Sequence, residues 1–261
     1  MKLLICGKGG SGKSTVTALL ARQYAAAGKR VIVVDTDVSN TGLHRILGTG
    51  IPPDLSGYFG GKKCMMDAMK TARDENLPQE KPILGTWTYD TLPKDYSSIK
   101  DSIQLVTIGK LRDTSEGCTC PISALARQFI LGLTLAENDQ VIVDTEAGIE
   151  HFGRGIDTLC DASLMVVDPS YESMCMVGKI SGMAASVEVP LFFILNKTDA
   201  ETSTALRDTI PDKSRIIGEF PLDPTLTEAG LEGRTFPSGY PAAAAVIGNV
   251  TARLAARPTG E

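Results

Sequence analysis

The chain has 261 residues, of which 43% are hydrophobic and 22% charged, and its formal net charge is −5. These proportions are those of a globular protein and exclude an intrinsically disordered chain. No apolar run reaches the roughly 18 residues of a membrane-spanning helix, and the first six residues form too short an apolar stretch for a secretory signal. The acidic balance disfavours broad binding to a phosphate backbone. We therefore expect a cytoplasmic protein that binds neither nucleic acid nor membrane.

Apolar runs and helical patterns alternate along the chain. Runs without polar alternation are typical of strands buried on both faces of a sheet. Helices are predicted over 15–27, where Gly28 ends the pattern, and from Pro121 and Pro241 onward. This order predicts an α/β fold, a mostly parallel sheet flanked by helices on both faces. The predicted strands are Leu3–Cys6, Arg30–Asp35, Ile103–Ile108, Gln140–Asp144, Leu164–Asp168, Leu191–Asn196 and the weaker Arg215–Phe220.

One segment, at about 50–100, interrupts this alternation. It holds five of the 14 prolines and the single tryptophan, Trp87. Because it is too long for a plain loop, we predict an irregular excursion from a single domain over 1–261, with a short helix near 64–71 and a hairpin around 84–92. Three methionines are interpreted as the packed face of that helix, with a partner-docking face as the alternative; they are Met65, Met66 and Met69.

A glycine-rich segment, GKGGSGKS at Gly7–Ser14, follows the first predicted strand and precedes the first helix. It fits the P-loop pattern, in which backbone N–H groups cradle phosphates, Lys13 reaches the β- and γ-phosphoryl oxygens and Ser14 binds Mg²⁺. The same glycines fit the dinucleotide fingerprint, but a dinucleotide has no use for Lys13 and Ser14. The pattern thus favours a nucleoside triphosphate. The predicted phosphate-binding residues are Gly9, Gly10, Ser11, Gly12, Lys13, Ser14 and Thr15.

Acidic residues follow two further predicted strands. Asp35 and Asp37 lie in VVDTD, and Asp144 lies in VIVDTEAG. Carboxylates at the carboxyl ends of parallel strands face the crevice where ligands bind, and they suit Mg²⁺ and an attacking water. The alternative, that these aspartates only cap the following segments, is weakened by the nearby P-loop. The predicted magnesium ligands, direct or through water, are Ser14, Asp35 and Asp144.

A second P-loop lysine, Lys8, together with VVDTD and VIVDTEAG, resembles the deviant-Walker (signature-lysine) P-loop ATPases, which include MinD, ParA and the nitrogenase iron protein. The resemblance implies a P-loop NTPase fold, ATP hydrolysis and a nucleotide-sandwich homodimer. It implies that Lys8 reaches the partner's phosphates, where it offsets charge on the γ-phosphoryl group, and that Asp37 orients the attacking water. Lys8, Lys13 and Asp37 are therefore the predicted catalytic residues.

Two segments near the last strands bear on the choice of base. Asn196-Lys197-Thr198-Asp199 fits the NKxD pattern that reads guanine in GTPases. In the ATPases that this chain resembles, Asn-Lys or Asn-Arg occupies this place, and a Pro-x-Asp loop, matched by Pro221–Asp223, closes over the base. We therefore favour ATP and ADP, with GTP as the alternative. The predicted base-binding residues are Asn196, Lys197, Pro221 and Asp223.

Two of the six cysteines, Cys118 and Cys120, stand one residue apart in GCTCP. Pro121 suits the first helical position, which places both sulfurs near the positive end of a helix dipole. There thiolates are favoured, and thiolates bind soft or borderline metals. Two thiolates fill half of a tetrahedral site, which a two-fold dimer completes. From the residues alone, structural thiols or a redox dithiol stay as alternatives.

The segments EGCTCP and EAGIEHFGRG closely resemble the CooC family, ATPases that assist nickel insertion into carbon monoxide dehydrogenase, with relatives that serve acetyl-CoA synthase. The resemblance implies Ni²⁺ or Zn²⁺ shared across a homodimer by Cys118 and Cys120, and a nickel enzyme as acceptor. A MinD/ParA-type positioning ATPase and an ATP-dependent iron–sulfur reductase are the alternatives. The last helix contains no lysine, which disfavours the first. The reductase has widely separated cysteines, unlike this pair.

Overall fold

The computed structural model describes residues 1–76, 78, 80–110, 120–148 and 155–256. Eight strands form one sheet in the order β3-β4-β2-β5-β1-β6-β7-β8. Every neighbouring pair is parallel except β3 with β4, so the predicted mostly parallel sheet is confirmed. The strands are β1 (Lys2–Gly7), β2 (Arg30–Asp35), β3 (Ser98–Lys100), β4 (Ile103–Thr107), β5 (Asp139–Asp144), β6 (Ala162–Val167), β7 (Leu191–Thr198) and β8 (Ile216–Pro221).

Helices cover both faces of the sheet, as the apolar runs predict. Alternate residues of one strand enter opposite layers: Leu4 of β1 packs with α5 and α6, and Leu3 packs with α1 and α9. Each fully buried aliphatic side chain of this kind contributes about 1.5–3 kcal/mol. The helices are α1 (Lys13–Ala26), α2 (Leu43–Leu47), α3 (Leu55–Tyr58), α4 (Gly61–Asp74), α5 (Cys120–Gly132), α6 (Tyr171–Ser186), α7 (Ala200–Thr209), α8 (Pro224–Glu232) and α9 (Pro241–Ala255).

The boundaries of the predicted strands and of the first helix lie within two residues of the observed ones. Helix α1 ends at Ala26, and Gly28 adopts the left-handed φ of +78° that a helix-terminating glycine allows. The antiparallel strand β3 was not predicted. It joins β4 through Asp101 and Ser102, whose positive φ angles of 51° and 62° suit a two-residue hairpin turn.

The excursion at about 50–100 contains the predicted helix, which is longer than expected and is α4. Met65 on this helix is buried, whereas Met66 is 55% exposed, so only part of the methionine set packs inward. The hairpin predicted around 84–92 is wrong. Trp87 instead forms a single parallel bridge with Leu133, and its backbone N–H donates to the Gly132 carbonyl, 2.9 Å away.

Aromatic packing explains why this stretch forms no hairpin. The Trp87 ring is buried and contacts Phe129 of α5, with a centroid distance of 6.3 Å, as well as Phe59 and Tyr58. Burying an indole stabilises the fold more than pairing two short surface strands would. Gly132 allows the close approach, because a Cβ there would lie 2.4 Å from the Gly85 carbonyl oxygen. Within the described ranges, no helix has the length and apolarity needed to cross a membrane.

Candidate functional site

The carboxyl ends of β1, β2 and β5 meet at one edge of the sheet. The parallel register places Ile5 beside Asp144 and Asp144 beside Asp35. The segment between β1 and α1 starts at this edge, so the P-loop lies next to both aspartates. The structure thus brings together the predicted phosphate loop and the predicted magnesium ligands, as expected for ligand binding at the carboxyl end of a parallel sheet.

The P-loop is a compact turn that opens α1. Gly12 is the residue before α1. Its φ of +97° would be strained for any other residue. A Cβ at Gly12 would also lie 2.1 Å from the side-chain nitrogen of Asn196. The Lys13 ammonium donates to the Lys8 carbonyl oxygen at 3.3 Å, so it folds back over the loop. The loop therefore has the shape and the buried cation that a phosphate group requires.

The end of β7 supports the loop from outside. The Asn196 amide donates to the Ser11 carbonyl at 2.7 Å, and the Lys197 ammonium donates to the Gly10 carbonyl at 2.6 Å. Leu222 of the Pro221–Asp223 loop donates its N–H to the Thr198 carbonyl, so the two predicted base-binding segments are joined. Their contact with a base stays a prediction.

Asp199 and Asp223 both cap helices. One oxygen of Asp199 accepts from the backbone N–H groups of Glu201 and Thr202 at the start of α7, and the hydrogen bond from the Thr202 N–H is the main cause that lowers its pKa. Asp223 accepts from Thr225 in the same way and from the Tyr240 hydroxyl at 3.0 Å. An aspartate used as a helix cap is poorly placed to read guanine, so this contact favours ATP.

Ser14 and Asp144 form the centre of the predicted magnesium site. The Ser14 hydroxyl donates to Asp144 at 2.7 Å and accepts from the Asn40 amide at 2.7 Å. Thr17 donates to the other Asp144 oxygen at 3.2 Å. Burial raises the pKa of Asp144 to about 6, opposed by the Ser14 hydrogen bond and the charge of Lys13. A hydroxyl and a carboxylate side by side fit Mg²⁺, which takes few protein oxygens and keeps water and phosphate as its other ligands.

Asp35, the third predicted magnesium ligand, is already paired with a cation. The Lys110 ammonium lies 2.7 Å from its carboxylate, and both side chains are largely buried. Burial raises the pKa of Asp35 to about 7 against the opposing charge of Lys110. The sequence analysis did not predict a role for Lys110, because a single lysine after a strand matches no motif. It follows β4 at the same edge, where Thr107 is registered with Asp35.

The predicted catalytic residues Asp37 and Lys8 contact the turn after β2 and the start of α6, respectively. One oxygen of Asp37 accepts from the Ser39 N–H and hydroxyl and from the Asn40 N–H, at 2.9, 2.6 and 3.2 Å. The Lys8 ammonium faces outward and lies 3.8 Å from Glu172 at the start of α6. Both side chains of that pair are substantially exposed, so the pair is weak. The catalytic roles of Asp37 and Lys8 stay predictions.

The cysteine pair lies only partly within the described residues. Cys118 is outside them, and Cys120 is the first residue of α5, so Pro121 is the second helical residue and not the first as predicted. The correction is one residue, because the backbone is already helical at Cys120. Within the parts of the chain that are described, no group of three or more His, Cys, Asp and Glu side chains could hold a metal ion.

A parallel sheet with a P-loop between its first strand and first helix, and a strand-end aspartate bonded to the P-loop serine, defines a P-loop nucleoside-triphosphate-binding protein. The described geometry agrees with this class at each of these points. The chain belongs to the CobQ/CobB/MinD/ParA nucleotide-binding domain family, whose sequence model matches residues 3–236.

Two individual proteins are similar to this chain over most of its length. The chain is 42% identical over 234 residues to an uncharacterized ATP-binding protein of Methanocaldococcus jannaschii, covering 89% of this chain and 92% of that one. It is 28% identical over 235 residues to the carbon monoxide dehydrogenase accessory protein CooC of Rhodospirillum rubrum, covering 89% and 88%.

The fold agrees with a solved structure of the septum site-determining protein MinD of Pyrococcus horikoshii complexed with Mg-ADP. The TM-score is 0.67 over 98% of this chain and 97% of that chain, at 19% identity. This agreement confirms the predicted P-loop NTPase fold, and the family model together with the 42% identical ATP-binding relative confirms the predicted ATPase. The protein is an ATPase of the MinD/ParA class, which uses ATP, ADP and Mg²⁺.

Proposed function

We propose that this ATPase is a metallochaperone that helps to insert nickel into carbon monoxide dehydrogenase or a related nickel enzyme such as an acetyl-CoA synthase. The observation that carries the proposal is the sequence pair Cys118 and Cys120, of which Cys120 is the first residue of α5, in a chain that aligns over 89% of its length with a carbon monoxide dehydrogenase accessory protein. Two thiols one residue apart, beside a helix N-terminus, have the chemistry of a soft-metal site.

Two protomers would supply four thiolates. Proteins of this family commonly dimerise, and a two-fold axis near α5 would present the same cysteine pair twice. Four sulfurs complete a tetrahedral shell for Ni²⁺ or Zn²⁺, which is the cargo of the protein and not its resident cofactor. A single chain offers only half of that shell, so metal binding and dimer formation depend on each other.

The packing of α5 supports a link between this site and the nucleotide. Gly109, two residues after β4, lies against Ile122 of α5, because a Cβ at Gly109 would be 3.5 Å from that side chain. A Cβ at Gly155, in the segment that follows Asp144 in sequence, would likewise lie 3.5 Å from the side chain of Arg127 of α5. Helix α5 therefore contacts residues that follow β4 and β5, two strands that end at the nucleotide site. A change in conformation at either strand end would move the helix.

The nucleotide chemistry follows from the same site. The loop Gly9–Thr15 would hold the phosphates, with Lys13 on the β- and γ-phosphoryl oxygens. Bound Mg²⁺ would lie at Ser14 and Asp144 and, through water, at Asp35, where it offsets charge on the transferred group. The base would be held by Asn196, Lys197, Pro221 and Asp223.

Hydrolysis would require two protomers to close. Asp37 would orient the attacking water, and Lys8 of each protomer would reach the partner's phosphates. Loss of the γ-phosphate would then loosen the shared metal site and release the metal to the acceptor. This coupling gives ATP hydrolysis a purpose that a passive metal carrier lacks.

Elemental analysis and mass measurement of anaerobically purified protein test the proposal. We expect one nickel or zinc ion per dimer, metal-driven dimerisation without ATP, and loss of both in Cys118→Ser/Cys120→Ser with Mg-ADP binding unchanged. Cys64→Ser/Cys175→Ser is the matched control, because both of these thiols are exposed and lie elsewhere. It should keep the metal.

Other outcomes reject the proposal. One metal ion per monomer without a change in mass, or retention of metal by the Cys118→Ser/Cys120→Ser variant, contradicts a shared four-sulfur site. A brown, iron-rich dimer would instead indicate the iron–sulfur alternative. A metal-free protein that binds vesicles or DNA in the presence of ATP would indicate a positioning ATPase.

A further inference from the structure

Lys110 contacts two parts of the Asp35–Asp37 turn at once. It lies three residues beyond the end of β4, and its side chain is 15% exposed. The ammonium is 2.7 Å from one carboxylate oxygen of Asp35 and also donates to the backbone carbonyl of Asp37. A lysine held this firmly, at the edge where the phosphates bind, is more than a solvated surface charge.

Together, Asp35 and Lys110 enclose the backbone of Asp37. The Asp37 N–H donates to the second oxygen of Asp35 at 3.1 Å, and the Asp37 carbonyl accepts from Lys110. The ion pair between Asp35 and Lys110 closes this ring of contacts. Both backbone polar groups of Asp37 are thus fixed, which sets the direction in which its side chain leaves the main chain.

The rest of the turn is anchored to the neighbouring strand. Thr36 donates its N–H and its hydroxyl to the Asp144 carbonyl, at 3.0 and 2.9 Å. These contacts hold the middle of the turn but do not reach the carbonyl of Asp37. Within the described part of the chain, Lys110 is the side chain that donates to that carbonyl.

We propose that Lys110 is a positioning residue for ATP hydrolysis, which holds the backbone of Asp37 so that its carboxylate meets the attacking water. The inference rests on the proposed role of Asp37. The hydrogen bonds of the P-loop run to Asn196, Lys197 and Asp144, and the proposed contact of Asp35 with Mg²⁺ passes through water. Loss of the Lys110 ammonium should therefore lower turnover far more than nucleotide affinity. A displacement of about 1 Å at such a group lowers a rate by about 10²-fold.

Lys110→Met tests this inference, since it keeps the apolar stem and removes the ammonium. We expect kcat for Mg-ATP to fall about 10²-fold while the Kd for Mg-ADP stays within about threefold. The variant should retain bound ATP unhydrolysed, as Asp37→Ala should. Lys110→Arg should restore most of the rate, because a guanidinium can donate to both oxygens. Lys179→Met, at an exposed position on α6, is the matched control and should not change the rate.

The outcomes separate this inference from the role of Asp37. If Asp37→Ala is inactive and Lys110→Met hydrolyses ATP at the unmodified rate, or changes only KM, the positioning role of Lys110 is overturned and that of Asp37 stands. If Asp37→Ala is fully active, both fall. Should Lys110→Met fail to fold, Lys110→Gln replaces it, since its uncharged amide can still donate to Asp35 but its side chain, one bond shorter, is too short to reach the Asp37 carbonyl as well. A normal kcat in that variant overturns the inference.

Discussion

The carboxyl ends of β2 and β5 and those of β7 and β8 lie at the same edge of the sheet, but they hold aspartates in opposite ways. Asp35 and Asp144 are 3% and 0% exposed, and burial raises the pKa of each. Hydrogen bonds from backbone N–H groups and hydroxyls lower the pKa of Asp199 and Asp223, which face solvent and cap helices. The groups around an aspartate, and not its position after a strand, therefore decide whether its pKa is raised by burial or lowered by helix-capping hydrogen bonds.

This contrast predicts that charge deletions matter most at the β2–β5 side. The largest effect is expected for Lys13→Ala, because the buried Lys13 ammonium is predicted to contact the β- and γ-phosphoryl oxygens. Loss of charged hydrogen bonds of about 2–4 kcal/mol should weaken Mg-ATP binding by about 30-fold to 10³-fold. Isothermal titration measures this, with Lys179→Ala as control. An affinity within about threefold of the unmodified protein would remove Lys13 from the phosphate site.

The second prediction concerns the cost of a buried charge. The pKa of Asp144 is about 6 in the folded protein, against a usual 3.8, so the folded state binds a proton at Asp144 more tightly than the unfolded state does. The protein therefore loses folding free energy as the pH rises from about 4 to 6 and this proton is released. Asp144→Asn should therefore raise the free energy of unfolding by about 1–3 kcal/mol at about pH 7.5. The gain should vanish near pH 4. Denaturant titration without Mg²⁺ and nucleotide measures both; a less stable variant at about pH 7.5 contradicts the prediction.

The smallest effect is expected at the β7–β8 side. Asp199→Ala should destabilise the protein by about 1 kcal/mol through loss of the cap of α7, with ATP affinity changed less than about threefold. Asp223→Ala should cost about the same stability and also weaken ATP binding, because its loop is predicted to hold the base. Asp212→Ala is the control variant, because Asp212 caps a short 3₁₀ turn outside both α7 and α8. It should leave ATP affinity unchanged. Guanine recognition would instead require Asp199→Ala to lower GTP affinity by about 10²-fold.

The elements that could be predicted are those whose signals are local. Buried strands read as continuous apolar runs, and the P-loop binds through its own backbone, so β2 and Gly7–Ser14 were found from short segments. The meeting of Ser14 and Asp144 followed from the rule that parallel strands end together. These parts of the site need no knowledge of distant packing.

The features that were missed depend on contacts between distant segments. Lys110 is an ordinary lysine in sequence, and its role emerges only when β4 pairs with β2 and places it beside Asp35. The prediction of a hairpin around 84–92 is wrong for the same reason. The packing of Trp87 on α5 stabilises a different backbone conformation from the one that the local turn residues favour. Contacts of this kind have no short-range signature.

The place of Trp87 has a practical consequence. It is the single tryptophan of the chain, and its ring contacts Tyr58 of α3 and Phe129 of α5. Any movement of α5 changes the surroundings of one fluorophore. The unmodified protein thus contains an intrinsic optical reporter at the helix that starts with Cys120, and the emission spectrum of that one indole can follow nucleotide or metal addition in real time without a label.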